Sequence, residues 1–126
     1  MIASLGAVAL ALRAGLRLRR TRFGRGPRTP DLLRDHLRFA KPAVAAICVG
    51  FLAGPISAAW LRDWTPFATF HAWLGGLAVG LFLAAAILGW RLERHRGRPV
   101  DAHATFAGLA VLAAAVAVVA GLVLLP

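Results

Sequence analysis

The sequence has few acidic side chains and a single cysteine. Asp and Glu together account for five of the 126 residues. None of the five lies inside the apolar segments that we expect to span a membrane, which argues against an acid-lined path for protons or cations. Cys48 cannot form an intramolecular disulfide, and its position in the middle of an apolar run favours a small buried hydrophobe over a reactive thiol.

Motifs that carry common enzymatic chemistry are also missing. The sequence contains no glycine-rich phosphate loop and no Cys or His pairs at zinc-binding spacing. It also lacks a set of Ser, His and Asp at one membrane depth. We therefore do not expect an enzyme.

Apolar sequence, by contrast, is abundant. Hydrophobic residues make up 60% of the chain and the mean hydropathy is +0.72, which is too apolar for a soluble domain of this length. The pattern predicts an all-α integral membrane four-helix bundle, a single domain over residues 1–126. The predicted spanning helices are about 2–19, 42–61, 66–90 and 102–125.

The formal net charge of +10 could indicate a nucleic-acid partner, but the basic residues gather before and after the central hairpin rather than over one folded face. Short loops rich in Arg and Lys stay on the cytoplasmic side of a membrane. We therefore predict that loops 20–41 and 91–101 are cytoplasmic. Both termini and the turn from Arg62 to Thr65 are then on the outer side, and no nucleic acid is expected.

The segment before the second spanning helix is amphipathic. Thr29 and Pro30 give a helix-start signal, and Leu33 and Leu37 share one side while the basic residues lie on the other. This pattern is typical of a short interfacial helix at the membrane surface. Pro42 then marks either a kink or the first turn of the next helix, just as Thr65-Pro66 predicts the start of the third.

Small residues recur along the predicted spans. Gly50 with Gly54, and Gly76 with Gly80, would let helices approach closely in lipid, and the third helix is expected to contact two neighbours. In the fourth helix one face is uniformly small: His103, Ala107, Ala110, Ala114, Ala117 and Gly121. We expect these faces to pack against other helices, other membrane subunits or a second copy of the chain. We find no long internal repeat.

Histidines are the candidate functional residues. A titratable side chain inside a span is costly in lipid, so His71 should face the bundle interior. Two imidazoles from different helices can ligate a b-type haem when they lie at one depth. His36 and His103 are the only pair at matching depth, so they are the predicted metal ligands. His36, His71 and His103 together are the candidate cofactor-binding set, and His95, in a loop, is not expected to bind.

A simpler reading of the same residues needs no cofactor. His36 and His103 would be interfacial side chains wetted by headgroups, and His71 would make one hydrogen bond to a backbone carbonyl or to Ser57. The arginine runs would then serve mainly as topology determinants, with a generic attraction for anionic headgroups.

Three stretches carry a resemblance to a known family: RDHLRFAKPAVAAICVGFLAGPISAAW, PFATFHAWLG and DAHATFAGLAV. Over residues 5–126 the chain resembles an uncharacterised family of small four-helix bacterial membrane proteins, which is similar to the membrane-bound di-haem cytochrome b group. The resemblance implies a bacterial cytoplasmic membrane and candidate haem ligation by His36, His71 and His103. Members often carry a His-Pro at the outer start of the first helix, whereas this sequence reads Met1-Ile2-Ala3. The first helix is short, so either it begins at the outer headgroups or the natural chain starts upstream.

Three functions follow as alternatives. The first is a redox-associated membrane protein that binds haem b or a quinone and transfers electrons. The second is a non-catalytic accessory or assembly subunit of a larger membrane complex. The third and weakest alternative is a small transporter, because no polar path crosses the predicted bundle.

Overall fold

The structure is a computed structural model that describes residues 2–25, 31–63, 65, 67–94 and 100–123. All regular structure within these ranges is helical, in four helices. They are α1 (Ile2–Arg22), α2 (Leu32–Arg62), α3 (Phe70–Arg94) and α4 (Val100–Val123). The helix-start signal at Thr29 and Pro30 lies outside the described residues.

The chain divides into two compact units, Met1–Ile47 and Cys48–Pro126. The first contains α1 and the N-terminal half of α2. The second contains the rest of α2 with α3 and α4. The expectation of a single domain over the whole chain stays a prediction.

Helix α2 runs without a break through Pro42. The separate interfacial helix that we expected before this proline is therefore wrong, because residues 32–41 form the first turns of one 31-residue helix. Proline removes the hydrogen bond to the carbonyl four residues earlier. Tertiary contacts lie on both sides of this proline: His36 is hydrogen-bonded to α1, and Ala43 is buried, with 3% of its surface exposed.

Helix α3 begins four residues later than the Thr65-Pro66 signal predicted. Asp63 and Phe67 have positive φ angles of 49° and 63°, a conformation that a right-handed helix cannot contain. Thr69 is the residue that caps α3, because its side-chain Oγ1 accepts a hydrogen bond from the Ala72 N–H at 3.3 Å. The chain between α2 and α3 is thus longer than the four-residue turn we expected.

Three of the four helices are long and apolar enough to cross a membrane. Their most apolar windows have mean hydropathies of 2.0 in α2, 2.1 in α3 and 2.6 in α4. Helix α1, which carries arginines along its second half, does not reach this level. The fold is therefore consistent with a multi-pass membrane protein, and a first span at 2–19 stays a prediction.

The interface between α3 and α4 is built almost entirely from alanine. Its buried side chains are Ala78, Phe82 and Ala85 on α3 and Ala110, Ala113 and Ala117 on α4. Small side chains let the two backbones approach closely, as in helix pairs within lipid. The small face predicted for the fourth helix does pack against a neighbour. Large apolar side chains instead lie on the outside, including Leu77, Ile87, Leu112 and Val119.

Three of the four glycines expected at helix contacts have no such contact within the described part of the chain. A Cβ placed on Gly50, Gly54 or Gly80 would meet no atom within 4 Å. The neighbouring pair Gly75 and Gly76 instead lies under the ring of Phe51 on α2, whose atoms are 3.5 and 3.6 Å from the two Cβ positions. Helix α3 therefore contacts two neighbours, as predicted, but through Gly75 and Gly76 toward α2 and through its alanines toward α4.

Candidate functional site

His71 is held in a notch on the surface of α4. Its Nδ1 donates a hydrogen bond to the carbonyl oxygen of Ala117 at 2.7 Å. The imidazole lies over Gly121, one turn further along α4, where a Cβ would be only 2.9 Å from Cε1 and 3.0 Å from Nδ1. Any other residue at this position would push the ring away from the carbonyl. We call such an alanine carbonyl with the glycine four residues later a glycine notch.

His103 occupies the same kind of notch in the opposite direction. It lies near the start of α4, and its Nδ1 donates to the carbonyl oxygen of Ala85 on α3 at 2.8 Å. Its Cε1 lies 3.2 Å from a Cβ position on Gly89. The two antiparallel helices thus bind each other reciprocally, each placing the histidine of its first turn into the notch near the far end of its partner.

His36 repeats the arrangement in the first unit. Its Nδ1 donates to the carbonyl oxygen of Ala11 on α1 at 3.0 Å, and its Cε1 lies 3.2 Å from a Cβ position on Gly15. His36 is half-buried, with its ring against α1, and its position at the membrane interface stays a prediction. All three candidate histidines face a neighbouring helix.

The hydrogen bonds fix the chemistry of the rings. A carbonyl oxygen can only accept, so Nδ1 must carry the proton in each imidazole. In the neutral ring the lone pair is then on Nε2, the tautomer found in histidine metal ligands whose other nitrogen donates to a backbone carbonyl. The carbonyl already accepts the helical N–H of the glycine and uses its second lone pair for the histidine. The three side chains are therefore anchored and oriented in one way.

His71 and His103 cannot share one metal ion. His103 is hydrogen-bonded to Ala85 on α3. Ala85 lies fourteen residues after His71 on the same helix, which corresponds to roughly 21 Å along the helix axis at 1.5 Å per residue. Two imidazoles on one iron would be only about 4 Å apart, at about 2 Å each. The ends of the α3–α4 pair therefore carry two separate histidine sites.

His36 and His103 belong to different compact units, and their predicted pairing across one metal stays a prediction. His95 lies outside the described residues. Within the described ranges, no three side chains of the types His, Cys, Asp and Glu come together as a metal-ion site. A haem bound by two imidazoles would need only two histidines from the protein, not a cluster of three side chains.

A repeat in the sequence indicates the notches, so the expectation of no long internal repeat is wrong. Residues 71–89 and 103–121 are identical at eight of nineteen positions: His71, Ala72, Gly76, Leu77, Ala78, Val79, Ala85 and Gly89 with their counterparts 32 residues later. Helix α2 keeps part of the pattern, with an alanine, a valine and a glycine 7, 8 and 18 residues after its histidine: Ala43, Val44 and Gly54. The alanine two turns after each histidine is buried in all three helices.

Together, the fold and these contacts define a class: a helical protein with three membrane-compatible helices and histidines anchored between helices by Nδ1. Comparison of the chain with protein-family models, curated proteins and solved structures found no match. The resemblance to the family near the di-haem cytochrome b group therefore stays a prediction from the sequence.

Proposed function

We propose that this chain is a redox-associated, multi-pass membrane protein that holds haem b through its anchored histidines and transfers electrons. The candidate ligands are His36, His71 and His103, with His36 and His103 sharing an iron. A haem bound between two imidazoles would supply reversible one-electron oxidation and reduction. The protein would supply oriented ligands and an apolar surrounding.

The observation that supports this proposal is the shared use of Nδ1. Three histidines on three helices bond backbone carbonyls at 2.7, 2.8 and 3.0 Å. Such a bond raises the basicity of Nε2 and fixes the ring plane, which is what a metal ligand requires. A histidine that served only to fill space would need neither a fixed tautomer nor a glycine reserved for its ring.

The tautomer also favours haem over a quinone. A quinone carbonyl needs a donor, but neutral imidazole protonated at Nδ1 presents an acceptor at Nε2. A ferric or ferrous iron, in contrast, takes that lone pair directly. Quinone binding at these histidines would require a second proton on the ring or another donor.

The absorption spectrum of the purified protein tests the proposal. Expression with sufficient haem supply should give a Soret band that shifts when dithionite reduces the sample. A colourless protein from the same preparation would contradict haem binding. If addition of haemin to that colourless sample produced no Soret shift, a failure of haem loading during expression would also be excluded.

The same contacts favour a second candidate, a non-catalytic accessory or assembly subunit. An imidazole that lies on a glycine and bonds a carbonyl also fastens two helices together, and such bonds are used within lipid to hold helices in register. In this case the protein would be colourless and would co-purify with a larger membrane complex. The histidines would then matter for stability alone.

The location that we propose is the bacterial cytoplasmic membrane, with both termini on the outer side. The apolar helices α2, α3 and α4 support a membrane location. The arginines at the end of α3, Arg91 and Arg94, support a cytoplasmic position for the segment that follows.

A further inference from the structure

The first turns of α2 carry an open groove whose lining is both cationic and apolar. Its volume is about 640 Å³. The lining residues are Leu33, Arg34, Asp35, Leu37, Arg38 and Lys41. None of the three candidate histidines lines it, so this surface is separate from the sites described above.

The cationic side chains form one stripe. Arg34, Arg38 and Lys41 are four and three residues apart, a spacing that places them on one helix face. All three are exposed. Arg34 also pairs with Asp31, with Nη2 3.1 Å from Oδ1, which neutralises part of its charge. Arg34, Arg38 and Lys41 together make this face of the helix cationic, and Asp35 is the carboxylate among the described residues that line the groove.

The length of α2 sets the depth of this groove. Its apolar stretch, Leu32–Leu61, has 30 residues, which corresponds to about 45 Å. The hydrocarbon core of a bilayer is only about 30 Å thick, so roughly ten residues must project beyond it. The charged residues within this stretch lie in its first ten positions, which puts the groove at the level of the phosphate groups.

We propose that this groove binds the headgroup of an anionic phospholipid, with its acyl chains against the adjacent leucines. The inference rests on the membrane location proposed above but is independent of haem. Among the described residues, three cations stand against Asp35 in the lining and Asp31 beside Arg34, which leaves a positive balance that complements a phosphodiester. Leu33, 48% exposed, and the half-buried Leu37 provide an apolar wall that a free phosphate would not use. This combination favours a lipid.

Thermal unfolding of the purified full chain in an uncharged detergent provides the test. Added phosphatidylglycerol should raise the Tm with saturation, whereas phosphatidylcholine and inorganic phosphate at equal concentration should not. The Arg38→Gln/Lys41→Gln variant should need at least tenfold more phosphatidylglycerol for the same shift. Arg91→Gln/Arg94→Gln, which removes two charges at the end of α3, should respond as the wild type does.

A second variant, expected to bind the lipid more tightly, distinguishes a loss of lipid binding from a loss of folding. Asp35→Asn removes a carboxylate from the lining, so this variant should bind phosphatidylglycerol more tightly than the wild type. Equal stabilisation by both lipids, or an unchanged response in Arg38→Gln/Lys41→Gln, would overturn the proposal. Stabilisation by inorganic phosphate alone would assign the groove to a free anion. A chain that fractionates without detergent as a soluble protein would instead refute the membrane location.

Discussion

The Nδ1 atom of His71 on α3 lies 2.7 Å from the carbonyl oxygen of Ala117 on α4, and the ring reaches this oxygen because Gly121 has no side chain. A second contact joins the same two helices in the opposite direction: His103 on α4 is bonded to Ala85 on α3, and its ring lies over Gly89. The two bonds tie the α3–α4 pair together at both ends. Predictions about stability and about cofactor binding both follow from this geometry.

Gly121→Ala should destabilise the protein. The new Cβ would lie 2.9 Å from His71 Cε1, so the ring must move and the bond to Ala117 is lost, at a cost of roughly 1–2 kcal/mol. The matched control is Gly108→Ala on the same helix, where a Cβ meets nothing within 4 Å. That change should be neutral or stabilising by up to about 1 kcal/mol, because alanine is the better helix former. Denaturation in detergent measures both, and equal effects would rule out the notch.

Gly89→Ala on α3 should act in the same direction with a smaller magnitude. Its Cβ would lie 3.2 Å from His103 Cε1, so a shift of the ring by a few tenths of an ångström relieves the contact. Gly80→Ala on the same helix serves as the control, since the space there is open. We expect the melting temperatures to rank Gly121→Ala lowest, then Gly89→Ala, then Gly80→Ala. A reversed order of the first two would contradict the distances.

Haem binding, if the proposal holds, should depend on particular histidines. His103→Ala should abolish the Soret band, because His103 is a predicted ligand whose ring is already oriented by Ala85. His95→Ala should leave the band intact, and a partial loss in each of His71→Ala and His103→Ala would instead indicate separate haem sites at the two ends of the α3–α4 pair. The spectrum of each purified variant, normalised to protein, is the measurement. Loss in His95→Ala with retention in His103→Ala would refute the choice of ligands.

Phe51→Ala should weaken the packing of α2 on α3 by about 1–2 kcal/mol. The ring lies over Gly75 and Gly76 and its centroid is 6.1 Å from that of Phe67. The neighbouring Leu52 is 62% exposed, so Leu52→Ala should change unfolding little. Chemical denaturation of the two variants side by side gives the comparison. A larger loss in Leu52→Ala would show that the Phe51 contact contributes little.

Cysteine labelling tests the predicted orientation of the chain in the membrane. In Gly97→Cys, a thiol reagent that does not cross membranes should fail to label the new cysteine from outside, because the basic loop at 91–101 is predicted to be cytoplasmic. The native Cys48 is half-buried within α2 and provides the background signal. Neutral residues in place of Arg91, Arg94, Arg96 and Arg98 should weaken this orientation. Outside labelling in the otherwise unaltered chain would refute the topology.

Part of the site could be read from the sequence and part could not. The cost of a titratable group among apolar residues predicted that His71 faces a neighbouring helix, and the small face of the fourth helix placed His103 at a contact. The acceptors are the backbone carbonyls of Ala117, Ala85 and Ala11. Every residue has such a carbonyl, so the sequence does not show which one accepts the bond. The glycines beneath the rings were present in the sequence, but Gly50 and Gly54 were equally plausible contacts and meet no atom within 4 Å in the described part of the chain.

What the sequence by itself determined is the helical class, the three long apolar helices and the packing of His71 and His103 against a neighbouring helix, because hydrophobic runs and the cost of polar groups among apolar residues act locally along the chain. The tertiary structure decided the rest. Left-handed conformations at Asp63 and Phe67 moved the start of α3 to Phe70, and α2 continues as one helix through Pro42. Which glycine receives which imidazole depends on the register between two helices, and register exists only once the helices have packed.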